Sequence, residues 1–116
     1  MPRFSVEHIP DNDTLFRRLP KVHFDEDGCI APIEFRDYAL SVKWKKYSSI
    51  EETRSSAGYN PPENYKVGAF IAGEVRMIPQ LKVKHTPRAS QAHSEIFGEK
   101  DVAVRLKLRN ICEIVG

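Results

Sequence analysis

Apolar residues in this chain recur mostly at every second position, the period of a strand with one dry face. The clearest case is "ALSVKWKK" (39–46), where Leu40, Val42 and Trp44 alternate with Ser41, Lys43 and Lys45. "TLFRRLP" (14–20) alternates as well, with Leu15, Arg17 and Leu19 on one face and Phe16 and Arg18 on the other, so one arginine must share an apolar face. "KVGAFIA" (66–72) is a continuous apolar run, which predicts a central strand covered on both faces. "LKVKHT" (81–86) sets Leu81, Val83 and His85 against Lys82, Lys84 and Thr86, with His85 facing inward. "AHSEIF" (92–97) sets His93, Glu95 and Phe97 against Ala92, Ser94 and Ile96.

Between these runs lie helix and turn signals. Ser48 and Ser49 each precede a glutamate by three residues, a doubled capping box, and Ile50, Thr53 and Ala57 continue at helical spacing to Gly58. A helix of two to three turns is expected there. "DEDG" (25–28) predicts a turn, and "CIAPIEFR" (29–36) a short extended piece interrupted by Pro32. "YNPPENY" (59–65) cannot be regular, because two prolines remove two donors. Residues 73–80 hold Val75 and Ile78 three apart and suit one helical turn. Residues 101–109 conflict: the alternation of Val102, Val104, Leu106 and Leu108 is strand-like, yet Glu99 and Asp101 after Gly98 resemble a helix start. "ICEIV" (111–115) is read as a final strand. The fold class that follows is α+β: one domain over 1–116, with a single small mixed or antiparallel sheet and two to three short helices.

Composition fits this picture. At 41% hydrophobic and 29% charged the chain is too apolar to be disordered, and its 116 residues can bury roughly two-thirds of the surface the unfolded chain exposes. The net charge of +2 conceals a gradient: residues 39–90 carry nine Lys/Arg against four Asp/Glu, whereas residues 1–38 carry five against eight. That basic 39–90 stretch could face nucleic acid or another polyanion, or be a solvated sheet face, since aromatic interleaving is missing. Cys29 and Cys112 stand alone, without the spacing of a zinc site, so no metal is expected and both are read as reduced, partly buried thiols. Neither a signal peptide nor a membrane span is visible in the sequence, and a cytoplasmic protein is expected.

The order "LFRRLP", "IEF", "ALSV", "VGAFIA", "LKV" and "AHSEIFG" resembles a widespread group of small uncharacterised bacterial proteins that read roughly FRRI, SSAAF, LSV and NPAH. The likeness spans about 14–115 through short motifs. It implies helix rather than strand for 99–109, with a short strand after it. This chain departs from the group at "API" (31–33), where the group has two serines, and at Ser90 and Gln91, where it has Asn-Pro. A more distant layout likeness is to compact bacterial toxins with an ADP-ribosyltransferase-like fold.

The candidate ligand-binding residues are Arg17, Arg18, Ser41, His93 and Glu95. A guanidinium offers a fixed fork for phosphate, a hydroxyl can orient a ribose, and an imidazole can move a proton near neutral pH. Each also has a structural reading: arginines on strands snorkel to the rim, and His85 suits a strand end bonded to backbone. "HTPRASQAH" (85–93) is read first as a loop between strands and second as the edge of a site. Two functions follow. One is a binding or accessory module of a conflict or defence system, recognising a protein partner or a phosphate-containing ligand and needing no cofactor. The other, implied by the toxin likeness, is an enzyme acting on NAD, with Arg17 or Arg18 gripping the dinucleotide, Ser41 positioning it and His93 or Glu95 serving the chemistry. Whether the chain is an enzyme stays open at this point.

Overall fold

The structure, a computed structural model, describes residues 4–58 and 60–116. Strands β1 (Thr14–Pro20), β2 (Ala39–Trp44), β3 (Tyr65–Ile71), β4 (Lys82–His85), β5 (His93–Phe97) and β6 (Glu113–Ile114) form one sheet in the order β4-β5-β2-β1-β3-β6. Every pairing is antiparallel, so of the two expected arrangements the mixed one is not adopted. The helices are α1 (Ile50–Arg54), α2 (Ala72–Arg76) and α3 (Val102–Ile111).

The register separates two faces. Leu15 lies opposite Trp44 and Phe70, Leu40 opposite Ile96, and Ile96 opposite Val83, so these residues share one side. That side is the main core: Leu15, Leu40, Phe70 and Ile96 are fully buried there, together with Ala72 and Val75 of α2 and Val104 and Leu108 of α3. Each such Leu, Ile, Val or Phe side chain contributes about 2 kcal/mol by leaving water. Phe35 closes one part of this core, edge-on to Phe70 at 5.9 Å. The opposite face has a small second cluster, Phe16, Val67 and Ala69, against which Ile50 and Val115 pack. The rest of that face presents Arg18, Ser41, Lys43, Lys84, His93 and Glu95, which register places side by side.

Several expectations are corrected. The "KVGAFIA" strand, β3, is covered on both faces but stands second from one edge, while β1 and β2 occupy the middle. Residues 32–35 are not extended: Pro32 opens a 3-10 turn, where its missing N–H costs nothing. The doubled cap is single, because Ser49 Oγ accepts the Glu52 N–H whereas the Ser48 hydroxyl pairs with Thr53 Oγ1. α1 therefore runs five residues before tightening into a 3-10 turn. Residues 102–111 are helical despite their alternation, since the Asp101 carboxylate caps the Val104 N–H at 2.9 Å and Val104 and Leu108, four apart, fill the core. The final strand has two residues rather than five.

Candidate functional site: a cationic cleft between β1 and β2

β1 and β2 pair only at Leu15 with Trp44 and at Phe16 with Lys43. Past that point they part, and Arg17 fills the opening. Its Nη1 donates to the Ser41 carbonyl at 2.8 Å, and its Nη2 donates to Glu34 Oε1 at 2.9 Å and to the Glu34 carbonyl at 3.3 Å. Glu34 Oε2 in turn pairs with His23 Nδ1. Arg17 Nε is buried and meets no acceptor among the described residues. Burial pulls the Arg17 pKa below its ordinary value, opposed by the Glu34 carboxylate.

Arg18, one position on, emerges on the other face of the sheet. Its Nη1 donates to Ser56 Oγ at 2.9 Å, and its guanidinium sits 5.0 Å from the centre of the Tyr65 ring. Lys43 is half-buried, and burial, helped by the nearby Arg18 charge, lowers its pKa. Arg17, Arg18, Ser41, Lys43, Thr53 and Ser56 line one cleft of about 140 Å³ beneath α1. Three cationic groups and three hydroxyl-bearing residues thus converge on a space the size of one small anion, together with Glu34, whose carboxylate is already taken up by Arg17 and His23.

The five residues picked from sequence divide. Arg17, Arg18 and Ser41 meet in the cleft, although Arg17 belongs to the core face and reaches the gap from behind. His93 and Glu95 do not line it. They stand on β5, on the same sheet face, with Glu95 directly opposite Ser41 and His93 directly opposite Lys43. Glu95 is buried and paired with Arg88 at 3.3 Å. His93 Nδ1 lies 2.8 Å from the Thr86 carbonyl, to which it donates. "HTPRASQAH" is the β4–β5 connection, tied by this bond and by His85 Nε2 at 2.7 Å from the Gln91 carbonyl. His85 itself is buried beside Trp44 and Tyr47, with Nδ1 accepting the Glu7 N–H, as its structural reading expected.

Sequence reasoning missed Glu34, His23 and Lys43. Lys43 could have been found, because it shares the wet face of its strand with Ser41. Glu34 carries no pattern beyond its place between Pro32 and Phe35. Of the cysteines, Cys112 is half-buried as expected whereas Cys29 is exposed; burial pushes the Cys112 thiol up to about 11, which keeps it protonated and non-nucleophilic at neutral pH. Among the described residues no cluster of His, Cys, Asp or Glu is placed to hold a metal, and no helix is long and apolar enough to cross a membrane.

No family model matches the chain, and no curated protein or solved structure is significantly similar to it.

Proposed function

We propose that the protein is a binding module for a phosphate-bearing or similarly anionic ligand, whose charged group enters the cleft between β1 and β2. The observation that carries this reading is the convergence of Arg17, Arg18 and Lys43 on one small space lined with hydroxyls. Only Arg17 of the three has a carboxylate partner, Glu34, among the ion pairs of the described residues, so an incoming anion would supply the missing negative charge. The size of the cleft, about 140 Å³, suits one phosphate group rather than a whole dinucleotide. Two free cysteines agree with a reducing compartment, and a cytoplasmic role in a bacterial conflict system rests on the sequence likeness.

Titration calorimetry with inorganic phosphate and pyrophosphate tests it. Saturable binding that weakens with salt and is lost in Arg18→Gln is the expected result; binding that ignores both Arg18→Gln and Lys43→Gln overturns the reading. The second reading, an NAD-consuming enzyme, is favoured by one feature: the His93 imidazole shares the open face with Ser41 and Lys43, two strands from Arg18. Release of nicotinamide from NAD by the intact protein, abolished in His93→Ala, would establish that reading in place of simple binding.

A further inference from the structure

β4 ends the sheet. The bond from Thr86 N–H to the His93 carbonyl at 3.1 Å, with Lys84 opposite Glu95 and Lys82 opposite Phe97, directs the backbone groups of those residues inward to β5. By the alternation of an antiparallel ladder, the backbone N–H and C=O of Val83 and His85 point outward. Among the described residues no strand takes them up: β4 is the terminal strand, and the Val83 carbonyl is met by a side chain, Arg76 Nη2 at 3.2 Å.

Beside this edge lies a groove of about 750 Å³, bounded on its far side by residues 6–9. That segment is tethered across the gap by side chains: Glu7 N–H donates to His85 Nδ1 at 2.9 Å, and Arg76 Nη1 donates to the Ile9 carbonyl at 2.6 Å. The groove's exposed apolar residue is Val6, with the buried Ile9, Leu81 and Val83 behind the lining. Its charged lining is Lys82, Lys84, Arg76 and Arg88 against Glu7; Glu7 is already bonded to Lys46 and Tyr47, Arg76 to Asp11 and Arg88 to Glu95, so the cations left for a partner are Lys82 and Lys84, which take part in no ion pair among the described residues.

We propose that β4 is a docking edge for an extended acidic peptide segment of a partner protein, which would add as a seventh strand. A peptide strand on this edge places alternate residues opposite Lys82 and Lys84 and the intervening ones toward Ile9 and Val83. The segment it fits therefore alternates acidic and apolar residues. A second copy of this chain is disfavoured, because antiparallel pairing of two β4 strands sets lysine opposite lysine in the register centred on Val83 and equally in that centred on Lys84. The site is separate from the cleft between β1 and β2, so the two readings stand or fall independently.

The test is fluorescence anisotropy with a dye-labelled Glu-Val-Glu-Val-Glu-Val peptide, its Lys-Val counterpart and a scrambled peptide of equal composition. The acidic alternating peptide should bind at least about tenfold tighter than either control. Lys82→Glu/Lys84→Glu, a change at two exposed side chains, should reverse the preference toward the Lys-Val peptide. Hydrogen exchange at the Val83 and His85 amides should slow on binding. Equal binding of the scrambled peptide would mean loose charge attraction and would overturn the proposal. So would an octathymidylate that binds the same lysines without protecting those amides, which would assign the edge to single-stranded nucleic acid.

Discussion

Arg17 Nη2 stands 2.9 Å from Glu34 Oε1, with 14% and 6% of the two side chains exposed, at the point where β1 and β2 separate. A pair so placed gains little net stability, since both charges lost their hydration on folding. Removing one partner is another matter. Glu34→Ala should cost about 3 kcal/mol or more, by leaving the guanidinium buried without its counter-charge. Glu34→Gln, which keeps a hydrogen-bond acceptor, should cost less, and Arg17→Met/Glu34→Leu should recover much of the loss. Urea unfolding of the three variants measures the order.

Lys100 is 4% exposed and has no carboxylate bonded to it; its ammonium donates instead to the carbonyls of Tyr38, Ile96 and Gly98 at 2.8 to 2.9 Å. Burial pulls its pKa down to about 8 from an ordinary 10.5. Between those values the unfolded chain binds the extra proton, so this group makes stability rise as pH rises from about 8 toward 10.5. Cys112 acts in the opposite sense. Its pKa is raised from 9.0 to about 11, so its contribution is complete below 9 and is lost as pH climbs through that window. Denaturation curves at pH 7.5 to 11.5, a range of about four units chosen to span both shifts, should differ from the parent by an upward trend in Lys100→Met and a downward one in Cys112→Ala, parent minus variant.

Gly98 sits at φ +137°, and a Cβ there would come within 2.9 Å of Leu81 Cδ2 and closer still to the Gln80 carbonyl. Both the backbone conformation and the space exclude a side chain. Gly98→Ala should cost about 2 kcal/mol or more and lower the melting temperature by roughly 10 °C, read by circular dichroism. Gly28→Ala, at φ +80° but with open space around it, should cost less.

Binding in the cleft should fade at alkaline pH before ordinary lysines titrate. Lys43 loses its proton more readily than a free lysine, because burial and Arg18 both disfavour its charge. Phosphate affinity measured across pH 8 to 11, about the range over which lysines titrate, should therefore fall early in the parent, and Lys43→Arg, which stays charged throughout, should hold its affinity.

The two-residue period of β2 and β4 was legible because each has one wet face, and a one-residue slip would bury Lys43 or Lys84; in β1 and β5 the alternation is only of residue type, since Phe16 and Glu95 on the outer face are buried too. α3 was legible only in its start signal, Glu99 and Asp101 after Gly98. Its alternation of Val102, Val104, Leu106 and Leu108 is a strand pattern overridden by the Asp101 cap and by packing of Val104 and Leu108 alone. In the cleft, Arg18 and Ser41 could be read from facing side chains, whereas Glu34 could not. Its pairing with Arg17 joins residues 17 apart through an irregular turn, and no periodicity encodes such a contact.

The sheet order also has a consequence for how the chain is made. β1 and β2, the first strands to leave the ribosome, take the two middle places, while β3 to β6 build both flanks later. Until residue 97 has emerged, β2 has no neighbour on its outer side, and Leu40, Val42 and Trp44 lack the strands that shelter them. The newborn polypeptide therefore carries an open, sticky ribbon between the emergence of residue 44 and that of residue 97, and a holding chaperone would be most useful in that interval.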